Sequence, residues 1–438
     1  MKYHLVNLFP KDKAQESIGV GYYTFQMLEH LLKINRHELI PDDKIDGDTI
    51  ILVSVTTLDS IPYLRKVRQK YPENIIITGG QFAFNFPVCL IYSDYCNVGE
   101  AFEFIQCKSI EEIKQLKCIA YHGKQELIEP SGRIDWKLVP ACQTKKGIFY
   151  YWKGVGCRNK CGFCFTSWTK QQQENDTRRV QSVANDIKKR GAGLILISNE
   201  YDEDIEVKVK DMMLKQFLRT KLYSGNPKLI RLGVEFATEE MRKKYGKAFT
   251  NHEFYEALDK AAVEQKELNL FFITGIEPLD EITKLLTGYK RYITKPKIFV
   301  KLTNIVYQQF TPIHKDRFNI NIKNYAYPDY QHELKNALDE YGGWRFKILS
   351  TAKPHKALYE TGMGHITSDE EYQEIKKILT AATAEDALSI LLSSGVLHND
   401  FRPLVKFWYQ KNKTMEQAFK EASDKSQSFI NKYLNAKL

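Results

Sequence analysis

Three cysteines stand within eight residues, in Gly154-Val155-Gly156-Cys157-Arg158-Asn159-Lys160-Cys161-Gly162-Phe163-Cys164-Phe165. The spacing is Cys-x3-Cys-x2-Cys. Three thiolates on one tight loop can hold three irons of a cubane iron–sulfur cluster. The fourth iron then has no protein ligand and is open to a substrate, whereas electron-transfer clusters use four cysteines. Gly156 and Gly162 permit the chain to fold back, and Arg158 and Lys160 offset part of a cluster's negative charge. Two plainer readings stand beside this one. A structural zinc site wants four ligands. Cys142 and His122 are the candidates for the fourth, and neither sits at zinc-finger spacing. Alternatively the three are unrelated core cysteines, and the glycine and basic context is coincidence. The other five cysteines, Cys89, Cys96, Cys107, Cys118 and Cys142, make no disulfide framework in a chain of 438 residues.

Elements on both sides must position this loop. Upstream, the apolar run 49–55 reads as a buried strand, 61–71 as a helix, and 74–80 as a strand ended by Gly79-Gly80. Strand–helix–strand at this spacing implies a parallel sheet with helices on its faces. Such a sheet binds ligands beyond its strand carboxyl ends. Residues 131–146 read as a connector. The strand 148–152 then leads into the cysteines. Beyond them strands are expected at 194–197, 228–235, 268–274 and 297–306, with helices at 180–190 and 254–265. Thr250 and Glu253 stand at capping-box spacing. The repeated unit argues for a βα barrel. The last third reads as helical, over 371–381, 387–393 and from Thr414 onward. The expected architecture is therefore α/β: a doubly wound, Rossmann-like domain at 1–140, a partial (β/α)6 TIM-like barrel at 141–345, and a mainly helical region at 346–438.

Composition narrows the class. Hydrophobic residues make up 43% and charged residues 27%, which suits a soluble globular chain. No apolar run reaches membrane-spanning length and no signal peptide is visible, so the expected location is the cytoplasm. The first 140 residues carry 16 Lys and Arg against 18 Asp and Glu, so the whole net charge of +10 lies after Pro140. That excess suits either a polyanionic partner or a lysine-rich solvated surface.

Cys-x3-Cys-x-aromatic-Cys after a first barrel strand resembles the radical S-adenosylmethionine (SAM) superfamily. The resemblance implies a [4Fe-4S] cluster on Cys157, Cys161 and Cys164, and SAM chelated at the open iron. Reductive cleavage would then give a 5′-deoxyadenosyl radical. It implies Phe163 near the adenine, unless that ring is plain core. Asn199 and Glu200, in Ile197-Ser198-Asn199-Glu200, take the place of the family's Gly-Gly-Glu stretch, with its glycines missing. The acidic Tyr201-Asp202-Glu203-Asp204 that follows reads as a solvated turn. Glu235, in Gly233-Val234-Glu235-Phe236, matches the Gly-x-Glu-Ser stretch with phenylalanine in place of serine; a surface pair with Arg231 or Lys228 is the other reading. Gly275 and Ile276 match the strand-and-glycine stretch beside the adenine. His314 would face the reaction space, or be a hydrogen-bonded structural histidine.

Upstream, Gly79-Gly80 through Pro87 and Val98-Gly99-Glu100-Ala101 resemble the branch of that superfamily with an N-terminal cobalamin-binding domain. The branch's Asp-x-His-x-x-Gly, whose histidine ligates cobalt, is absent. Cobalamin therefore binds without a histidine, or the domain has lost it and serves as a substrate platform. The resemblance implies an enzyme, a transferase or an isomerase, with a reductase or flavodoxin-type electron donor. The basic excess, with Tyr150, Tyr151, Trp152, Trp168, Phe407, Trp408 and Tyr409 set among lysines, points to modification or rearrangement of a nucleic-acid base. Methylation, epimerisation or cyclisation of a peptide or small natural product is the alternative. A non-catalytic nucleic-acid-binding module with a structural metal is a third.

Overall fold

The computed structural model describes residues 1–7, 20–56, 60–145, 147–157, 159–170, 172–197, 214–216, 229–264, 267–289, 297–307, 310–318, 324, 326, 328–340, 345–349 and 368–380. The chain divides into two compact units: Met1–Arg158 with Thr166–Leu218, and Asn159–Phe165 with Arg219–Leu438. The expected helices over 387–393 and after Thr414 lie outside the described residues, as do Asn199, Glu200 and the acidic stretch 201–204.

The first unit opens with β1 (Lys2–Asn7), β2 (Glu38–Leu39), β3 (Ile50–Ser54), β4 (Ile76–Gly79), β5 (Tyr95–Asn97) and β6 (Ile119–Tyr121). They form one sheet in the order β2-β1-β3-β4-β5-β6. β6 is antiparallel to β5, and every other pairing is parallel. The order reverses between β1 and β3, as in doubly wound sheets that hold ligands at that switch point. Ile50, Ile51, Leu52 and Val53 are all buried, which is why β3 reads as an unbroken apolar run. The helix Ile61–Lys70 starts with proline in its first turn and buries Ile61, Leu64 and Val67. Its outward Arg68 donates to Asp94 at 2.5 Å.

The same unit carries a second sheet: β7 (Cys142–Lys145), β8 (Ile148–Trp152), β11 (Gly193–Ile197) and β12 (Leu214–Gln216), in the order β12-β11-β8-β7. β8, β11 and β12 run parallel, with β7 antiparallel at one edge. A short ribbon pairs β9 (Gly154–Val155) with β10 (Gln173–Glu174). The helix Thr177–Lys189 is capped by Asp176 and buries Val180, Ala184 and Ile187 at helical spacing. One apolar core joins the two sheets. Tyr23, on the helix Val20–Ile34, packs near Tyr150 and Trp152 and donates to the carbonyl of Pro140 at 3.1 Å.

The second unit holds β13 (Leu229–Glu235), β14 (Glu267–Thr274), β15 (Lys297–Asn304) and β16 (Arg345–Leu349), in sequential order and all parallel. Leu268, Leu270 and Phe272 alternate on one face of β14, in register with Ile298, Val300 and Leu302 of β15. Against this layer pack Phe254, Leu258 and Ala261 of the helix Asn251–Val263, which begins with the expected Thr250–Glu253 capping box. The architecture is mixed α/β with parallel sheets. Among the described residues no helix is long and apolar enough to cross a membrane.

Gly99 explains its own place in the turn after β5. Its φ is +108°, and a side chain would fall on the backbone of Ser131. That segment accepts from Glu100 N at 2.7 Å and donates to Val98 O at 3.0 Å. Gly99→Ala is expected to lower unfolding stability by about 1–3 kcal/mol, the range for a residue forced into a sparsely populated backbone region. Gly47 has nothing within 4 Å of its missing side chain. Gly47→Ala should shift stability by no more than about 1 kcal/mol. Urea unfolding of both variants, followed by circular dichroism, checks the contrast.

Candidate functional site

The cysteine loop is entered through tight backbone pairing. After β8, Lys153 N donates to Ile197 O at 2.8 Å, and Asn175 N donates to Lys153 O at 2.8 Å. The Asn175 amide also donates to Trp152 O at 3.1 Å. β9 pairs with β10, and Gly156, at φ +79°, turns the chain into the cysteines. Cys157 is half-buried and belongs to the first unit.

Residues 159–165 belong to the second unit. Up to Cys164 they form no strand or helix, so neighbouring elements satisfy them. Cys164 N donates to Cys161 O at 3.0 Å, which closes a turn. Gly162 N donates to Tyr245 O at 2.9 Å, and Gly162 O accepts from Ile313 N at 3.0 Å. The Cys161 thiol lies 3.7 Å from Gly246 O and is buried; Cys164 is half-buried. Both glycines are needed at full contact. A side chain on Gly162 would stand 3.0 Å from the Tyr245 ring, and one on Gly246, at φ +78°, would stand 2.9 Å from Lys160 O.

Phe163 packs edge-on against Phe236, with centroids 5.4 Å apart at 77°. Phe236 is fully buried and stacks on Tyr245 at 5.0 Å and 29°. Burial, then its hydrogen bond to Asp316 at 2.9 Å, raises the Tyr245 phenol well above its ordinary range.

Glu235 ends β13 in an unusual backbone state. Its φ is +66°, just after a bulge between Gly233 and Glu235. Its carboxylate folds back over Gly233, where a larger side chain would collide, and stands 3.8 Å from Lys247 Nζ. A left-handed conformation at a non-glycine residue costs about 1–3 kcal/mol and persists only where neighbours enforce it. The neighbours here are two buried charges. Glu277 accepts from Ala237 N at 2.7 Å, Thr238 N at 2.9 Å and Thr238 Oγ1 at 2.5 Å. Arg242 donates to Phe236 O at 2.9 Å, Ala237 O at 2.8 Å, Phe249 O at 3.0 Å and Asn251 Oδ1. Burial lowers the pKa of Arg242, against the pull of Glu239 and Glu277.

Gly275, at φ +101°, donates from its N to Asn324 O at 2.6 Å, and the Asn324 amide donates to Ile276 O at 2.6 Å. His314 hydrogen-bonds through Nδ1 to Tyr307 O at 2.8 Å. The second unit thus links Phe163, Glu235 and Gly275-Ile276 through the Phe236–Thr238 segment and Glu277. Arg242, Tyr245, Asp316 and Glu277 escaped sequence reading. Arg242 sits in a lysine-rich run where a buried cation looks like any solvated one. Glu277 follows directly on Ile276, and that adjacency was its one signal.

None of the eight cysteines forms a disulfide. Among the described residues no three His, Cys, Asp or Glu groups gather about a point that would hold one metal ion. The candidates for a zinc site's fourth ligand are otherwise employed: burial pushes the Cys142 thiol up to about 12, and His122 Nε2 hydrogen-bonds Leu90 O at 2.8 Å. A cubane asks less, since each thiolate binds its own iron. Within the second unit, Cys161 and Cys164 stand on a glycine-jointed turn anchored to Tyr245 and Ile313.

No family model matches the chain, and no curated protein matches it in sequence. Among solved structures, the chain is similar to the radical S-adenosylmethionine methyltransferase TsrM from Kitasatospora setae, with tryptophan substrate and a SAM analogue bound. Identity is 11%, over 73% of this chain and 76% of that one, with a TM-score of 0.50. At this identity the likeness is one of fold: the chain shares its α/β fold with that enzyme. Two structures of the cobalamin-dependent SAM radical enzyme OxsB are 13% identical over 99% of this chain, at a TM-score of 0.49. They cover 80% and 75% of their own chains, the first with aqua-cobalamin and the second with aqua-cobalamin and SAM.

Gly246→Ala tests the anchoring of the loop. It forces a non-glycine residue to φ +78° against Lys160 O. Stability should fall by about 1–3 kcal/mol, and limited proteolysis should cut within 159–165 where the native chain resists. Unchanged proteolysis would show that the loop does not depend on this contact.

Proposed function

We propose that the chain is a radical SAM enzyme holding a [4Fe-4S] cluster on Cys157, Cys161 and Cys164. One observation carries the proposal: the Cys-x3-Cys-x2-Cys loop follows β8 within a fold of this kind. When bound, the cluster supplies the electron that splits the sulfonium of SAM into methionine and a 5′-deoxyadenosyl radical. The protein's task is to bind, orient and exclude water. Phe163, held edge-on by Phe236, offers an apolar wall. Glu235, with Lys247 3.8 Å away, offers a carboxylate and an ammonium to a zwitterionic amino acid. Gly275 and Ile276 offer a backbone edge, at present engaged by Asn324. Asn199 and Glu200 complete the proposed SAM contacts.

For substrate, we favour a small organic molecule or peptide undergoing methylation or rearrangement. TsrM, which shares the fold, holds tryptophan. The basic excess after Pro140 favours a second reading, a nucleic-acid base. A reductase or flavodoxin-type electron donor and a cytoplasmic setting complete the proposal. For cobalamin, the six-stranded sheet supplies a switch-point crevice, while 38–121 contain no histidine for cobalt. Any cobalamin there is bound without an imidazole from those loops.

Anaerobic reconstitution should give about four iron and four sulfide per chain. Cys157→Ala, Cys161→Ala and Cys164→Ala should each abolish 5′-deoxyadenosine formation while keeping the native circular dichroism. Continued formation in any one of them refutes the assignment. A product gain of one methyl favours transfer, and no gain favours rearrangement. Nucleic-acid affinity that falls steeply between low and physiological salt supports the second reading, and a flat response rejects it. A cobalamin absorption spectrum after reconstitution decides whether the N-terminal sheet keeps that cofactor.

A further inference from the structure

The most unusual electrostatic arrangement among the described residues lies beside the cysteine loop. Arg242 is fully buried and Glu277 is 6% exposed, yet they are not joined to each other by a hydrogen bond. Between them runs the segment Phe236-Ala237-Thr238. Arg242 takes its carbonyls, at Phe236 and Ala237, and Glu277 takes its amides, at Ala237 and Thr238. The peptide dipoles thus bridge the two charges. The device is self-locking, because Thr238 also caps the helix Glu239–Lys244 that carries Arg242. Burying a charge is costly unless it is hydrogen-bonded, and here each of the two is satisfied by backbone groups of the same segment. Each is satisfied only when this segment has one shape.

That shape places Phe236, whose ring meets Phe163 on one side and Tyr245 on the other. Phe163 lies between Cys161 and Cys164, and Tyr245 O receives Gly162 N. We propose that Arg242 and Glu277 are positioning residues: they act through Phe236 to hold the Cys161–Cys164 turn in the geometry that receives the cluster. The inference deepens the radical SAM reading and rests on it for the identity of the cargo, while the clamp itself is testable in metal-free protein.

Glu277→Gln keeps the shape but turns an acceptor into a donor facing an amide. Phe236→Leu leaves the clamp and removes the ring from Phe163. Leu334→Ala, a cavity in the buried core under the helix Pro328–Glu340, is the control for loss of stability alone. Iodoacetamide labelling of metal-free protein, read by mass spectrometry at Cys161, is the first readout. Glu277→Gln should label about tenfold faster than the parent, the factor set by losing one hydrogen bond to a charged group, and Phe236→Leu, which loses the ring contact to Phe163 instead, should also label faster than the parent. Cys89, buried in the first unit, should stay protected. Iron release from reconstituted protein to a chelator is the second readout and should quicken to a similar degree. The proposal is overturned if both variants label Cys161 at the parental rate, or if Leu334→Ala at an equal loss of melting temperature labels it as fast. A parent that binds no iron at all would refute the radical SAM reading, and the labelling would still judge the clamp.

Discussion

A loop that presents several thiols to one metal body cannot be a helix or a strand, because neither repeat points side chains at a common centre over so few residues. Its backbone amides and carbonyls therefore go unpaired unless the surroundings supply partners. In residues 159–165 the partners come from two separate stretches. Tyr245 O takes the amide of Gly162, and Ile313 N takes its carbonyl. The close approach of Gly246 to Lys160 and Cys161 has the same origin. Tyr245 caps the helix Glu239–Lys244 and Ile313 lies in the 3-10 turn Pro312–Phe318, so the shape of this segment is inherited from elements far away in sequence.

The second unit concentrates that inheritance at the carboxyl ends of its strands, where parallel sheets leave room for ligands. β13 ends in the bulged, left-handed Glu235, and β14 ends in Thr274 and Gly275. Thr274 Oγ1 donates to Asn304 Oδ1 at 2.6 Å, which also accepts from Ala326 N at 3.0 Å. These contacts are side chain to side chain and side chain to backbone, within buried surroundings where hydrogen bonds are stronger and unpaired groups costlier than in water. The strand ends are consequently held in one arrangement by buried hydrogen bonds.

Several elements were legible from residue pattern alone. β8 matched its expected bounds, and β11, β13, β14 and β15 matched to within one or two residues, because runs such as Leu194–Ile197 are apolar and β-branched and end at polar or glycine positions. The Thr250–Glu253 box announced its helix. What escaped is equally specific. β5 has three residues and β9 two, too short for any period to register. β7 is recruited by pairing with β8, and its Cys142-Gln143-Thr144-Lys145 has no apolar alternation. The two units cut across the sequence, with 159–165 assigned apart from its flanks; chain order cannot reveal this, because it depends on contacts. The Cys-x3-Cys-x2-Cys spacing is plain in the sequence. Arg242 and Glu277 are not, since burial, not residue type, makes them informative.

The departure at position 236 is where the resemblance and the physics meet. The matching family stretch carries serine, and here the residue is Phe236, fully buried between the rings of Phe163 and Tyr245. A serine there would leave those rings facing a void and would bury a hydroxyl with a wholly aromatic contact surface on two sides. A phenylalanine needs no hydrogen bond and fills the space with edge and face contacts that aromatic pairs prefer. The cost is that an aromatic ring cannot fix the strand end by hydrogen bonding its backbone, as a short polar side chain can. Glu277 and Arg242 perform that task from outside, taking the amides and carbonyls that follow Glu235. The substitution and the buried charges are thus two halves of one solution to holding a strained strand end beside the cysteines.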